Sequence, residues 1–571
     1  MRTGERVEML RTRDEHDHRF EKIPDEGLMS KHEIREKIKI DLQSIRIRKT
    51  GKTILRNVRF DFCQGDRLAV LGPSGAGKTT LMSAILGYLD PRAYMIKGKI
   101  LFGDVNLLDL SPLDWARIRG NDIRVLFQDP ASVVHPHLKI SDQFKAAYKA
   151  VCQDPDEKHF DRCIDAMREK LFIPENTISG KKYPFQISGG QLQRVAIGLS
   201  LLHPARFYFA DEPFNSLDAW IAYEFVVLIQ KLLKKEHLKS LFLITHDLCA
   251  ARAARCETVL YVDGSETCRL VPLERFGTVQ GFESGRNWVR TIKSIDNHRT
   301  DSTSDALPAP TNEKMLNVLR LNYRYTKRGI FLRKGRTIVD KVSFHVADGE
   351  FVGMVGNSGA GKSTIGKCVA NQMRDWSGQI EWLGNPVHAK HAPDTRIQML
   401  PQQAGQSFDP RQKISDHILQ CAAGRRFCTQ KTRVALKDFT RRMGLPEDLL
   451  HRLPNELSGG QKQLFAIIRS VISSTRCLIA DEPFVHLDPI LQLKIIDLLN
   501  SMKHARPSLC ALLISHNLGL LVPLCDRIIV IHQGRIVESA PTHQVLTQPI
   551  HEETRKLVHA YRAMRRHLSS H

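Results

Sequence analysis

No Cys-x-x-Cys pair occurs in the 571 residues, although twelve cysteines are present. They stand singly, from Cys63 to Cys525, which excludes a zinc ribbon or a disulfide framework and fits a reducing compartment. No segment approaches the roughly 18 consecutive apolar residues that a membrane-spanning helix needs. The N-terminal stretch alternates in charge without the apolar centre of a secretory signal. The expectation is a soluble chain that meets any membrane through a partner. There is also no tail of one charge sign: 84 Lys and Arg oppose 62 Asp and Glu, so the net charge of +22 is a bias compatible with nucleotides, anionic lipid or RNA. With 42% hydrophobic residues, wholesale disorder is excluded and about two to four domains can each bury a core.

What is present is a repeat. Lys362 follows Lys78 by 284 positions within near-identical Gly-rich segments, and Ser458, Asp481 and Ser515 each follow their counterparts Ser188, Asp211 and Thr245 by 270. A repeat this long means duplicated domains rather than a solenoid. The expected division is a charged extension over residues 1–37, a first domain over 38–264, a polar, Pro-punctuated linker over 265–314 and a second domain over 315–571. Within each copy, apolar runs such as Leu68–Leu71, Phe207–Ala210 and Leu241–Ile244, and Phe351–Val355, Cys477–Ala480 and Leu512–Ile514, read as buried parallel strands. Periodic segments at 192–202 and 462–473 supply helices. The fold class is therefore α/β, with chemistry at the carboxyl ends of the strands.

Two of those strand ends carry Gly72-Pro73-Ser74-Gly75-Ala76-Gly77-Lys78-Thr79-Thr80 and Gly356-Asn357-Ser358-Gly359-Ala360-Gly361-Lys362-Ser363-Thr364. In such a loop the backbone N–H groups curl around phosphate oxygens and the following helix N-terminus adds its positive pole. Lys78 and Lys362 would reach the β and γ phosphates, and Thr79 and Ser363 would coordinate Mg²⁺. Asp211 and Asp481 end further strands, where a carboxylate can hold Mg²⁺ directly or through water. Glu212 and Glu482 then stand where a base accepts a proton from the attacking water. An acidic pair after one apolar run is also how an ordinary strand ends; behind a phosphate loop it gains a role. His246 and His516 end the next strands and can contact the γ phosphate. A lone histidine there is more often a core residue, but two equivalent ones shift the weighing.

Both halves resemble the nucleotide-binding domains of the ATP-binding cassette superfamily. The distinguishing segments are Ile187-Ser188-Gly189-Gly190-Gln191 and Leu457-Ser458-Gly459-Gly460-Gln461. Physically each is a second anion cradle at a helix start. The resemblance implies two P-loop domains in tandem, each a mixed sheet with a RecA-like core plus a helical subdomain. It also implies ATP and Mg²⁺ held between the phosphate loop of one half and the Ser-Gly-Gly of the other, so that Lys78 pairs with Ser458 and Lys362 with Ser188. Gln128 and Gln402 match the glutamines that touch Mg²⁺ and water and relay to a transport partner. Ser216-Leu217-Asp218 and His486-Leu487-Asp488 match the loop that crosses the interface. Tyr325 fits the adenine-stacking position of the second half, whereas Arg48-Lys49-Thr50-Gly51 in the first has no ring. No catalytic position is degenerate, so two hydrolytic sites are expected.

The segments running from Gln128 to Pro136 and from Gln402 to Pro410, together with Tyr183-Pro184-Phe185-Gln186 before the first Ser-Gly-Gly, are similar to the nickel and oligopeptide importer ATPases. This resemblance implies two usually separate subunits fused in one chain. It further implies two integral-membrane permeases and a substrate-binding protein as partners, a peripheral place on the cytoplasmic face of the inner membrane, and no direct nucleic-acid contact. The lack of a Cys-rich C-terminal extension leans the cargo toward nickel or metal chelates over peptides. Metal ligation by the ATPase itself is not expected, since His135, His137 and His391 lack ligand spacing. The competing expectation is a soluble translation factor of two cassettes, for which +22 would be a ribosomal RNA footprint. Such factors carry a long charged helical pair between cassettes, and the linker here is polar and Pro-broken.

Overall fold

The computed structural model describes residues 36–569, apart from 127–132, 151–156, 172, 174, 179–181, 188, 203–204, 214–218, 235–239, 265–267, 279–282, 298–310, 326–335, 388–396, 403–406, 424–429, 474 and 486. In chain order the first half carries β1 (Lys37–Ile47), β2 (Thr53–Cys63), β3 (Arg67–Leu71), β4 (Tyr94–Phe102), β5 (Val105–Asn106), β6 (Ile123–Leu126), β7 (Phe207–Asp211), β8 (Leu241–Ile244), β9 (Thr258–Val262) and β10 (Cys268–Pro272). The second carries β11 (Thr311–Tyr325), β12 (Arg336–Asp348), β13 (Phe351–Gly356), β14 (Trp376–Trp382), β15 (Asn385–Pro386), β16 (Ile397–Leu400), β17 (Cys477–Asp481), β18 (Cys510–Ile514), β19 (Arg527–His532) and β20 (Arg535–Pro541).

Each half folds into the same pair of sheets. An antiparallel sheet runs β2-β1-β4-β5 in the first half and β12-β11-β14-β15 in the second. The central sheet runs β10-β9-β3-β8-β7-β6, and its counterpart β20-β19-β13-β18-β17-β16. All pairings in the central sheets are parallel except the edge pairs β9/β10 and β19/β20. A parallel sheet covered on both faces needs strands that are apolar throughout, and β7 and β17 are buried at every position. Their alternate residues serve two cores. Phe207 and Phe209 face the layer beneath the antiparallel sheet, while Tyr208 and Ala210 face the helical side. Cys477 and Ile479, against Leu478 and Ala480, repeat that division. The expected runs all became strands, and a three-helix subdomain follows each glutamine segment: Ile140–Lys149, Glu157–Leu171 and Gly189–Leu201 in the first half, Ile414–Ala423, Gln430–Arg442 and Gly459–Ile472 in the second.

Part of the stretch expected as a linker is ordered structure. Strand β10 pairs with β9 from Cys268↔Val262 to Pro272↔Thr258, and the helix Glu283–Asn297 follows. Trp288 on that helix is fully buried and packs edge-on against Tyr261, 5.9 Å away. The polar composition of this region hid an apolar face presented at helical spacing. Residues 298–310, with the Pro-punctuated segment, lie outside the described residues.

The two halves interlock through their last helices. The helix Glu283–Asn297 packs on Pro489–Ala505 of the second half, and the C-terminal helix Glu552–Ser569 packs on Ala219–Lys234 and Leu248–Ala253 of the first. Trp288→Ala removes a large buried side chain, so it should lower stability by about 3–5 kcal/mol in chemical denaturation followed by circular dichroism. A loss under about 1 kcal/mol would mean that this helix is not part of the first half's core.

Candidate active site

The central strand of each half, β3 or β13, lies between β8 and β9 or between β18 and β19. Its carboxyl end therefore abuts the ends of the strands that carry the histidine and, one further on, the acidic pair. Immediately after β3 the chain turns back at Gly72 with φ 150°, continues through Gly75 at 80° and Gly77 at 101°, and enters the helix Lys78–Ile85. Gly356, Gly359 and Gly361 repeat these values at 154°, 77° and 101° before the helix Lys362–Val369. A Cβ on Gly72 would lie 2.0 Å from the Val262 carbonyl oxygen, and one on Gly356 2.2 Å from that of Ile531. Gly75 and Gly359 have open space where a Cβ would stand. The loops thus lie flat on the next strand while their other side stays clear, the shape a phosphate cradle requires.

Each loop lysine is buried and folded back on its own loop. Lys78 Nζ donates to the carbonyls of Gly72 at 2.8 Å and Pro73 at 2.9 Å, and Lys362 Nζ to those of Gly356 at 2.7 Å and Asn357 at 3.0 Å. Burial lowers the Lys78 pKa, partly opposed by the nearby carboxylates of Glu212, Asp488 and Asp211. The next residue is tied to the strand-end aspartate: Ser363 Oγ donates to Asp481 Oδ1 at 2.9 Å, and Thr79 is hydrogen-bonded to Asp211. Burial pushes the Asp211 carboxyl up to about 6 despite that bond, and raises Asp481 as well. A buried carboxylate beside a hydroxyl at the mouth of a phosphate loop is a donor set suited to Mg²⁺.

Glu212 and Glu482 both take up left-handed backbone conformations, φ 43° and 50°, uncommon for a side chain with a Cβ. Their N–H groups are bonded to Ile244 and Ile514 at 2.9 Å each, so neighbouring strands hold the turn. In the second half the carboxylate is fully engaged. His516 Nδ1 is 2.8 Å and the His516 backbone N–H 2.9 Å from Oε1, and Ser515 Oγ donates to Oε2 at 3.0 Å. Burial would raise the Glu482 pKa, but the bonds from His516 and Ser515 and the charge of Lys362 outweigh it and the group lies below its ordinary value. In the first half His246 Nδ1 lies 3.7 Å from Glu212 Oε1, and Thr245 Oγ1 accepts from the Asp247 N–H. The sequence alone gives Ser515 no role, because only the folded strand end turns its hydroxyl onto the glutamate.

Ser458 caps the helix Gly459–Ile472: its Oγ accepts from the Gln461 N–H at 3.3 Å, and Gln461 Oε1 accepts from the Ser458 N–H at 3.0 Å. Ser458 and Gly459 are exposed. In the first half Gly189, Gly190 and Gln191 open the helix Gly189–Leu201, and Ser188 lies outside the described residues, as do Gln128, the Ser216–Asp218 segment, His486 and His391. Gln402 is exposed just beyond β16, and Thr80 and Thr364 sit in the first turn of the loop helices. Tyr325 ends β11 with its ring 55% exposed. Matching registers, Arg46↔Thr53 in the first half and Arg324↔Thr337 in the second, place Ile47 where the second half has Tyr325. An isoleucine rather than the following basic stretch thus fills the ring's position.

A contact between described residues joins the halves at the site. Asp488 of the second half is buried, caps the helix Pro489–Ala505 through Leu491 N–H at 3.0 Å, and with its other oxygen accepts from the Ser74 N–H of the first phosphate loop at 3.2 Å. The interface loop of one half therefore rests on the phosphate loop of the other.

The raised Asp211 pKa ties stability to pH. A carboxyl that holds its proton more tightly when folded stabilises the chain below about pH 4, and that stabilisation is lost as the pH rises through about 6. Asp211→Asn should therefore raise the melting temperature at pH 8 and change it little at pH 4. The difference corresponds to about 3 kcal/mol at most, and equal shifts at both pH values would contradict the burial effect.

The segments 55–215 and 339–485, together more than half of the chain, match the family described as ABC transporter. The ABC transporter ATP-binding protein YejF of Escherichia coli K12 is 28% identical over 538 residues, covering 90% of this chain and 97% of that protein. The glutathione import ATP-binding protein GsiA of Shigella dysenteriae is 28% identical over 542 residues, covering 89% and 86%. Among solved structures, an archaeal ribosome recycling factor in complex with a ribosomal stalk protein superposes with a TM-score of 0.55 at 20% identity, covering 87% of this chain and 90% of that one. At that identity the likeness is one of fold alone. The chain belongs to the ABC transporter family and carries two copies of its ATPase domain.

Proposed function

We propose that the chain is the ATP-hydrolysing motor of an importer for peptide-type cargo, with both of its ATP sites supplied by one polypeptide. The observation that carries this reading is the bond from Ser74 N–H to Asp488, which sets the interface loop of one half on the phosphate loop of the other. Together with two full sets of strand-end residues, it fits ATP held across the seam. In this reading Lys78 works opposite Ser458 and Lys362 opposite Ser188. The loop lysines exchange their carbonyl partners for phosphate oxygens. Thr79 with Asp211, and Ser363 with Asp481, would hold Mg²⁺, with Gln128 and Gln402 at its outer side. Mg²⁺ supplies charge neutralisation on the β and γ oxygens. Glu212 and Glu482 take the proton from the attacking water, and His246 and His516 orient them and face the γ phosphate.

Residues 38–297 and 315–571 would serve as the two cassettes, with residues 1–37 as an extension. Among the described residues no helix is long and apolar enough to cross a membrane. The proposed partners are accordingly two permease subunits and a substrate-binding protein, placing the chain peripherally at the inner membrane. Relatives named for glutathione import favour a small peptide as cargo. The lean toward nickel drawn from the missing Cys-rich extension finds no support among them. Opening and closing of the two halves with nucleotide would drive the permeases.

Glu212→Gln alone and Glu482→Gln alone should each retain roughly half of the ATPase activity, and the double variant should fall at least about 100-fold. Phosphate release by the purified chain measures this, and complete loss in either single variant would contradict two independent sites. Uptake of labelled glutathione or dipeptide into vesicles bearing the permeases tests the cargo, and co-sedimentation of the double variant with ribosomes instead would favour a translation factor.

A further inference from the structure

The C-terminal helix Glu552–Ser569 touches the second phosphate loop at its start and the first half near its middle. At its start, Glu553 Oε2 accepts from Asn357 Nδ2 of the phosphate loop at 3.4 Å and lies 3.7 Å from His532 Nδ1 at the end of β19, while Oε1 is 2.8 Å from Lys556 Nζ. Leu557 and Val558 anchor the middle of the helix in the second half's core. Further along the helix, His559 meets the first half, edge-on to Tyr223 with ring centroids 5.3 Å apart and 6.0 Å from Trp220. Trp220 Nε1 donates to Glu224 Oε1 at 2.9 Å, and the other Glu224 oxygen pairs with Arg194. Arg194 belongs to the helix Gly189–Leu201, which opens with the first half's Gly-Gly.

We propose that this helix is a strut for the second ATP site, joining its phosphate loop to the opposing signature helix through protein alone, with Glu553 and His559 as positioning residues. The proposal rests on the reading that Lys362 shares its nucleotide with the signature of the first half. A helix is stiff over the stretch from Glu553 to His559, at about 1.5 Å per residue, so the two contacts fix the spacing between the groups they touch. The strut serves one site only. Pro73 occupies the place of Asn357 in the first loop and has no side-chain donor, so the first phosphate loop cannot make the matching bond. The helix Glu283–Asn297 packs across the seam on Pro489–Ala505 without that link from Pro73. The second site is thereby pre-spaced by the C-terminal helix, a link that Pro73 denies the first.

The experiment uses the full chain in two backgrounds, Glu212→Gln to read the second site and Glu482→Gln to read the first. Glu553→Ala should raise the ATP KM of the second site about fivefold, the scale of one lost hydrogen bond, with little change in kcat and no change at the first site. Glu553→Gln keeps an acceptor for Asn357 Nδ2 and should restore the KM. His559→Ala should give the same one-sided rise and His559→Phe should reverse it, and the Glu553→Ala/His559→Ala pair should be no worse than the larger single effect. Equal rises at both sites, no rise, or failed rescue by Gln and Phe would overturn the strut. Absence of ATPase activity in both backgrounds would sink the motor reading instead. Hydrogen exchange without nucleotide then decides the strut by itself: His559→Ala should speed exchange in 189–201 and 356–364 and leave 72–85 unchanged, and unchanged exchange in all three would overturn it.

Discussion

The structure depends on how closely each phosphate loop lies against the strand beside it. Gly72 and Gly356 bring the backbone so near the carbonyls of Val262 and Ile531 that no side chain fits between. This contact fixes where the loop leaves the sheet, and with it the start of the helix at Lys78 or Lys362 and the depth at which each lysine is buried. The buried lysine in turn sits near carboxylates on β7 or β17. Desolvation raises Asp211 and Asp481 there, while bonds from the next strand hold Glu482 ionised. In the second half the two carboxylates are adjacent in sequence, yet their surroundings shift them in opposite directions, Asp481 up and Glu482 down.

The duplicated halves have drifted at the edges of this frame and not at its centre. The sheet order, the loop dihedrals and the left-handed glutamate recur almost unchanged, since all are demanded by the same packing. The differences lie where a side chain faces the open site or the other half: Ile47 for Tyr325, Pro73 for Asn357, and a glutamate–histidine separation of 3.7 Å against 2.8 Å. Two sites built from the same parts are therefore held differently, since only the second loop carries a side chain that can bond to the C-terminal helix, Asn357 to Glu553.

The last helix of each half packs on a helix of the other, so the seam does not rest on nucleotide contacts alone. For a motor that must open and close, such reciprocal packing offers a pivot formed by protein alone. One polypeptide also keeps the local concentration of each half around the other high, whatever the protein concentration.

The amino-acid sequence determined the fold class and the duplication, and it marked the strand ends where the candidate site lies. A buried parallel strand must be apolar at every position, and a phosphate loop needs glycine at fixed spacing, so both leave marks that survive without coordinates. Phe207–Ala210, Cys477–Ala480 and the two Gly-rich loops were legible for that reason. The helix Glu283–Asn297 was not, because its apolar face is thinly spread through a polar segment and becomes a core only when Trp288 meets Tyr261. Only the tertiary structure could decide that Ser515 bonds Glu482, that Ile47 stands in the place of Tyr325, that Asp488 reaches Ser74 and that Glu553 reaches Asn357. The bonded pairs among these lie tens to hundreds of positions apart, and a contact of a few ångströms between them is set by how sheets and helices pack, which no local pattern of residues encodes.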